Sequence, residues 1–247
     1  MTPLILSIDF DFCIQEDRQL DMGHGDSNLF NTVLWQVRQQ MWAAQGKTVQ
    51  QLCPMAHHPV GLAISLANRF IVNNCDCAWG ESHIGILEFL DRFHPKGPIE
   101  VINLDAHHDL GYNGDDYKAD YKPNCGNWAM QLLRQNRLQK YTLVYPEWRK
   151  AHPEPGSAAL IRGYQKHLPD RILVNRWKAW LKLLTSKRKI DGLFICRSGP
   201  WVPPCYDGDF NDMVRFLTGT KEAIAQRATS PPPDPNTMEG VLASLVK

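Results

Sequence analysis

No uninterrupted apolar run in the sequence approaches the roughly 20 residues that a membrane-spanning helix needs, so no membrane partner is expected. Charge of either sign is not in excess: 27 Lys and Arg face 26 Asp and Glu, for a net charge of +1. Bulk electrostatics therefore select no partner, and nucleic acid is not expected as one. Cysteine lacks a disulfide framework. The count is 7, odd and irregularly spaced, which reads as a reduced, cytoplasmic protein. No fixed-period repeat is present. No signal peptide is expected, because Met1-Thr2-Pro3 leads straight into an apolar strand. What remains is a chain of 247 residues, enough for one large α/β domain with a substantial core.

The most informative stretch is Val101-Ile102-Asn103-Leu104-Asp105-Ala106-His107-His108-Asp109. It starts as a buried parallel strand would and ends in Asp, His and Asp at every second position. Alternate side chains of an extended chain share a side, so Asp105, His107 and Asp109 are expected to converge. Carboxylates held that close repel, and a divalent cation removes the conflict while using the His. A polar loop with an acid capping the next helix would read the same way. Ser7-Ile8-Asp9-Phe10-Asp11 is a second apolar strand ending in same-face acids. A third piece, Glu81-Ser82-His83, puts a His at the start of an apolar helical pattern.

These three pieces resemble one family. Asp105-Ala106-His107-His108-Asp109 matches the DAHxD motif of arginases and agmatinases, and Ser7 to Asp11 matches their SxDxD motif. Gly80-Glu81-Ser82-His83 resembles a relaxed form of their GGDHS motif. The SxDxD strand comes first here and last in arginase, as in a circularly permuted relative. With this order, this length and Cys125-Gly126-Asn127-Trp128, the chain most resembles the peptide arginases. Those enzymes turn arginine side chains of ribosomally made peptides into ornithine.

The resemblance implies a three-layer α/β/α sandwich around a mostly parallel sheet. It implies two Mn(II) ions, although Fe(II), Co(II) or Zn(II) would also bind such a donor set. His83 and Asp109 would hold one ion, His107 and Asp11 the other, with Asp105 and Asp9 bridging. The ions would activate water against the guanidinium carbon of a peptidyl arginine, releasing urea, with Asp109 carrying the proton to the leaving amine. An acid before a helix grips the guanidinium in arginases. Asp26 is the candidate here, or else it only caps the helix that follows. His24 assists proton transfer or is a surface histidine. Gly126-Asn127 match a substrate-contacting stretch, which makes Asn127 a candidate substrate contact. Trp128 and Ala129 stand where the family has Leu and His, which points away from free arginine and towards an arginine-containing precursor peptide. Trp128 would then wall the site or pack in the core. Arg197, at the end of an apolar strand, needs a partner: an acid near the metals or a peptide carbonyl of the substrate. Two alternatives stay open: a deacetylase or amidohydrolase of the same fold group, and a non-catalytic module that binds peptide or nucleic acid through a basic helix.

The remaining chain reads as strands at 4–11, 70–72, 141–145, 171–174 and 193–196. Helices are predicted at 29–44, 83–93, 127–139, 209–217 and, with a basic face and a buried Trp side, at 176–189. Residues 55–59 and 75–77 read as loops. A Pro-rich linker at 230–235 leads to a small docking helix at 237–246, packed against a second subunit if the protein is a homo-oligomer.

Overall fold

The computed structural model describes residues 2–15, 28–72, 75–93, 97–112, 122–150 and 156–220. The Pro-rich linker and the helix expected at 237–246 lie outside them. In chain order the described strands are β1 (Leu4–Asp9), β2 (Phe70–Ile71), β3 (Asp76–Gly80), β4 (Ile99–Leu104), β5 (Leu138–Tyr145), β6 (Ile172–Arg176), β7 (Arg188–Lys189) and β8 (Gly192–Cys196). The described helices are α1 (Asn28–Ala43), α2 (Val49–Leu52), α3 (Pro59–Ala67), α4 (Gly85–Phe93), α5 (Trp128–Arg134), α6 (Ser157–His167), α7 (Trp177–Leu183) and α8 (Asp207–Thr218). None of these helices is long and apolar enough to cross a membrane.

β1 is buried along its whole length, as a strand covered on both faces must be. It pairs in parallel with β4 on one side and β8 on the other. The full order is β3-β8-β1-β4-β5-β6, and every pairing in this sheet is parallel. Alternation sorts the side chains of β1 into two cores. Leu4, Leu6 and Ile8 join Trp35 of α1, Leu66 of α3 and Phe210 of α8. Ile5 joins Phe89 of α4, Leu132 of α5 and Ile161 of α6. Helices therefore flank the sheet on both faces, consistent with a three-layer sandwich.

The direction of travel across the sheet decides which helix goes where. From β3 to β4, β5 and β6 the chain moves one way, and α4, α5 and α6 lie together on one face. From β1 to β3, and from β6 back to β8, it moves the other way, and Trp35 of α1, Leu66 of α3 and Trp177 of α7 lie on the opposite face. Crossovers of one hand produce this segregation. The reversal leaves the carboxyl ends of β1 and β4 side by side at the sheet's centre, where open α/β sheets bind ligands.

Several elements differ from the sequence expectation. Residues 75–77 are not a loop: β3 starts at Asp76. As an edge strand it is only partly buried, so it carries no apolar run to reveal it. Residues 59–67 form α3, with a proline at its first position and Leu62, Ala63 and Leu66 turned inward. The helix expected at 127–139 stops at Arg134, closed by Asn136 at φ 55°, and β5 begins at Leu138. The basic helix stops at Leu183, although its Trp177 and Trp180 are buried as expected. α6 went unread among the prolines before it.

Candidate metal centre

The two motif strands stop earlier than their alternation suggests. β1 ends at Asp9, and Phe10–Cys13 form a 3-10 turn. Asp9 caps this turn by accepting from the Asp11 amide at 3.2 Å. β4 ends at Leu104, the Asp105 amide still bonds to the Val144 carbonyl of β5, and the chain bends at Ala106 and His107. Asp109 takes φ 52°, a left-handed conformation that short acids tolerate better than most residues. Asp9 and Asp105 thus sit at the strand ends themselves, while the 3-10 turn places Asp11 and the bend after β4 places Asp109.

Two groups result. In the first, His83 Nδ1 faces Asp9 Oδ2 at 3.1 Å, Asp105 Oδ2 at 3.2 Å and Asp109 Oδ2 at 3.0 Å. In the second, His107 Nδ1 lies 2.8 Å from Asp11 Oδ2 and 3.7 Å from Asp105 Oδ1. Asp105 belongs to both. All six residues that the sequence nominates as ligands are thus gathered at the carboxyl ends of β1 and β4. His83, Asp105 and Asp109 are all buried and have the spacing to hold a metal ion; Asp11, Asp105 and His107 have it too, with His107 only partly buried.

The donor set fits that reading. His83 Nδ1 is buried and has no hydrogen bond of acceptable geometry, although three carboxylates surround it. Its other nitrogen, Nε2, is 2.7 Å from Ser7 Oγ. If Nε2 carries the proton and donates to Ser7, the Nδ1 lone pair is left for a cation, the usual outer support of a metal-binding histidine.

Electrostatics show the strain of the cluster without a cation. Burial, with Asp11 and Asp105 nearby, raises the Asp9 carboxyl well above its ordinary range. Burial and then Asp105 push Asp109 up to about 7. Burial alone would lower His83, but Asp109, Asp105 and Asp9 outweigh it and raise the imidazole. Burial also works against the Asp105 anion, yet His107 and His83 hold it below the usual carboxylate range. Protons thus do in the metal-free protein what a cation would otherwise do.

Neighbours fix the acids further. Asp105 accepts from the His107 amide at 2.7 Å and from Asn103 Nδ2 at 2.9 Å. Asp11 accepts from the Ala106 amide at 3.2 Å and from Ser198 Oγ at 3.3 Å. Trp128 is fully buried, so it does not wall a peptide site; its Nε1 donates to Asp109 Oδ2 at 2.6 Å. Neither Asn103 nor the Trp128 N–H stood out in the sequence. Strand parity could have found Asn103, two residues before Asp105, whereas Trp128 reaches Asp109 only through the packing of α5. Cys196 also lies near Asp9 and His83. Burial and Asp9 raise its thiol pKa, its sulfur accepts from the Ser198 amide, and with Asp9 and His83 it forms a further group with the spacing to hold a metal ion.

Trp128→Phe should keep the fold and lower metal affinity by about 10- to 100-fold, because an outer partner of a ligand is lost. A titration of the two proteins with Mn(II) would show it, and equal affinities would count against the role.

The nominated substrate contacts fare differently. Asn127 is buried, accepting from the Asn124 amide and donating to the Lys122 carbonyl, so its amide closes the turn before α5. Arg197 is fully buried between Glu81 and Asp207, with 3.1 Å to the latter. An arginine so buried needs its acids, and this one ties the turn that carries His83 to β8 and α8 instead of reaching a peptide carbonyl. Both residues brace the site from within. His24 and Asp26 lie outside the described residues.

Comparisons of the chain with protein-family models, with curated proteins and with solved structures found no match.

Proposed function

We propose that this protein is a metal-dependent hydrolase of the peptide arginase type, converting arginine residues of a peptide to ornithine with release of urea. The observation that carries the reading is the pair of histidines, each set against carboxylates, with Asp105 common to both. His83 and Asp109 would hold one divalent cation and His107 and Asp11 another, with Asp105 and Asp9 between them. Four carboxylates and two imidazoles suit Mn(II). When bound, two such cations supply Lewis acidity and activate water at neutral pH.

The chain's own residues do the rest. Asp109, gripped by Trp128 Nε1, is the group to carry a proton to the departing amine. Ser7 orients His83, and the amides of Ala106 and His107 hold Asp11 and Asp105 in place. The cluster lies deep among buried side chains, which limits bulk water. Asp11, set against His107, favours this reading over a deacetylase, whose single-zinc site lacks that second acid.

The test is incubation of the protein with Mn(II) and arginine-containing peptides. Mass spectrometry should find the loss of one CH2N2 unit per converted arginine, with urea in solution. Peptides left intact by protein that has bound its metal would rule the activity out.

A further inference from the structure

The proposed activity leaves open how a cationic side chain would be chosen. The four carboxylates of the cluster are nearly sealed off, with side-chain exposures of 5% or less. Two divalent cations would also cancel their combined charge, so they have little left to attract a guanidinium. His83 is 3% exposed and His107 is 12% exposed. Among the six, the cluster is therefore most open to solvent beside His107.

Trp201 stands there. Its ring centroid is 4.9 Å from that of His107, with the planes inclined at 37°, and the residue is half-buried. The segment that carries it is tied down from several sides. The Trp201 and Val202 amides donate to the Ser198 carbonyl at 2.9 and 3.0 Å. From α1, Trp35 Nε1 donates to the Gly199 carbonyl at 2.7 Å, and Arg38 donates to the Pro200 carbonyl. Gly199 has no room for a side chain, since a Cβ there would lie 2.0 Å from Glu81 Oε1. Ser198 Oγ joins the segment to Asp11. Trp35 and Arg38 of α1, with Asp11 and the Ser198 carbonyl, thus hold the backbone that carries this indole beside His107.

An indole face attracts a cation, and a planar guanidinium stacks on it as well. We propose that Trp201 determines specificity here: it selects a planar cationic side chain over a neutral one of the same shape at the His107 edge. This rests on the proposed function and names its substrate-selecting group.

The test uses the Mn(II)-loaded full chain and two peptides, read by calorimetric titration. One peptide carries iminoethyl-ornithine, a planar amidinium; the other carries citrulline, its neutral near-isostere. The wild type should prefer the amidinium. Trp201→Leu should lose about 3- to 30-fold of that preference, with citrulline affinity and metal content unchanged. Trp201→Phe should keep part of it. If Trp201→Leu does not fold, fluorinated tryptophans at position 201 keep the shape while weakening the face, and amidinium affinity alone should fall stepwise. An unchanged preference in the metal-loaded variants, or none in the wild type, overturns the inference. Urea release is scored separately: release with an unaffected preference removes Trp201's role alone, and a preference without urea removes the proposed reaction alone.

Discussion

Asp9→Asn should strip the protein of metal while leaving the metal-free fold at least as stable as before. Asp9 Oδ2 is one of three carboxylate oxygens around His83 Nδ1, so the substitution removes a ligand. Losing even an outer partner of a ligand costs about 10- to 100-fold in affinity, so losing the ligand should cost more than about 100-fold. Without metal the sign reverses. Burial, Asp11 and Asp105 already disfavour the Asp9 anion, and a neutral amide removes that conflict. Asn also keeps an oxygen for the Asp11 amide, so the cap on the 3-10 turn survives. Each kcal/mol gained would raise Tm by about 2–4 °C for a chain of this size. An acid kept only for structure would behave in the opposite way. Metal titration and calorimetry on the two proteins decide it: full metal affinity, or a metal-free variant melting well below its parent, would refute the assignment.

The stabilisation produced by Mn(II) should grow as pH rises through about 7. In the metal-free protein Asp109 has a folded pKa raised above its unfolded value, so the folded state holds the extra proton. That contribution is complete below the ordinary carboxylate range and is lost as pH rises through about 7. His83 acts in the same sense: its raised pKa stabilises below the ordinary histidine value, and the gain disappears as pH rises through the folded one. Asp105 is held low, so its contribution is lost only in strong acid, outside this window. The metal must displace the Asp109 proton. Affinity should therefore gain up to about tenfold per pH unit below that titration from Asp109 alone, and more if His83 also gives up a proton. Metal-free stability falls with pH while the metal's contribution climbs. Melting curves with and without Mn(II) across neutrality would test this, and a thermal shift indifferent to pH would refute it.

Much of the architecture was legible because buried central strands announce themselves. β8 is an apolar run, β1 is one apart from Ser7 and Asp9, and β4 is one apart from Glu100 and Asn103; both faces of such strands lie under helices. The edge strand β3 was not legible: Asp76 and Cys77 read as loop because an edge needs less apolar surface. α3 and α6 were hidden by the His-Pro and Pro-Gly signals that precede them, which mark a helix start as readily as a loop.

At the candidate site, the sequence alone determined which residues are suited to meet. Acids and histidines placed just beyond buried strands must emerge at the same end of a parallel sheet, whatever the details of the turns. Tertiary structure decided what each one does. The strand order set β3, β8, β1 and β4 in a row, so that His83, carried beyond β3, reaches Asp105 beyond β4, where His107 also faces it. It also spent Arg197 on Glu81 and Asp207, took Trp128 into the core as a donor to Asp109, and left Trp201 beside His107. A side chain's chemical type is local to the chain, but its partners depend on which elements pack together, and that is settled only when the whole sheet closes its two cores.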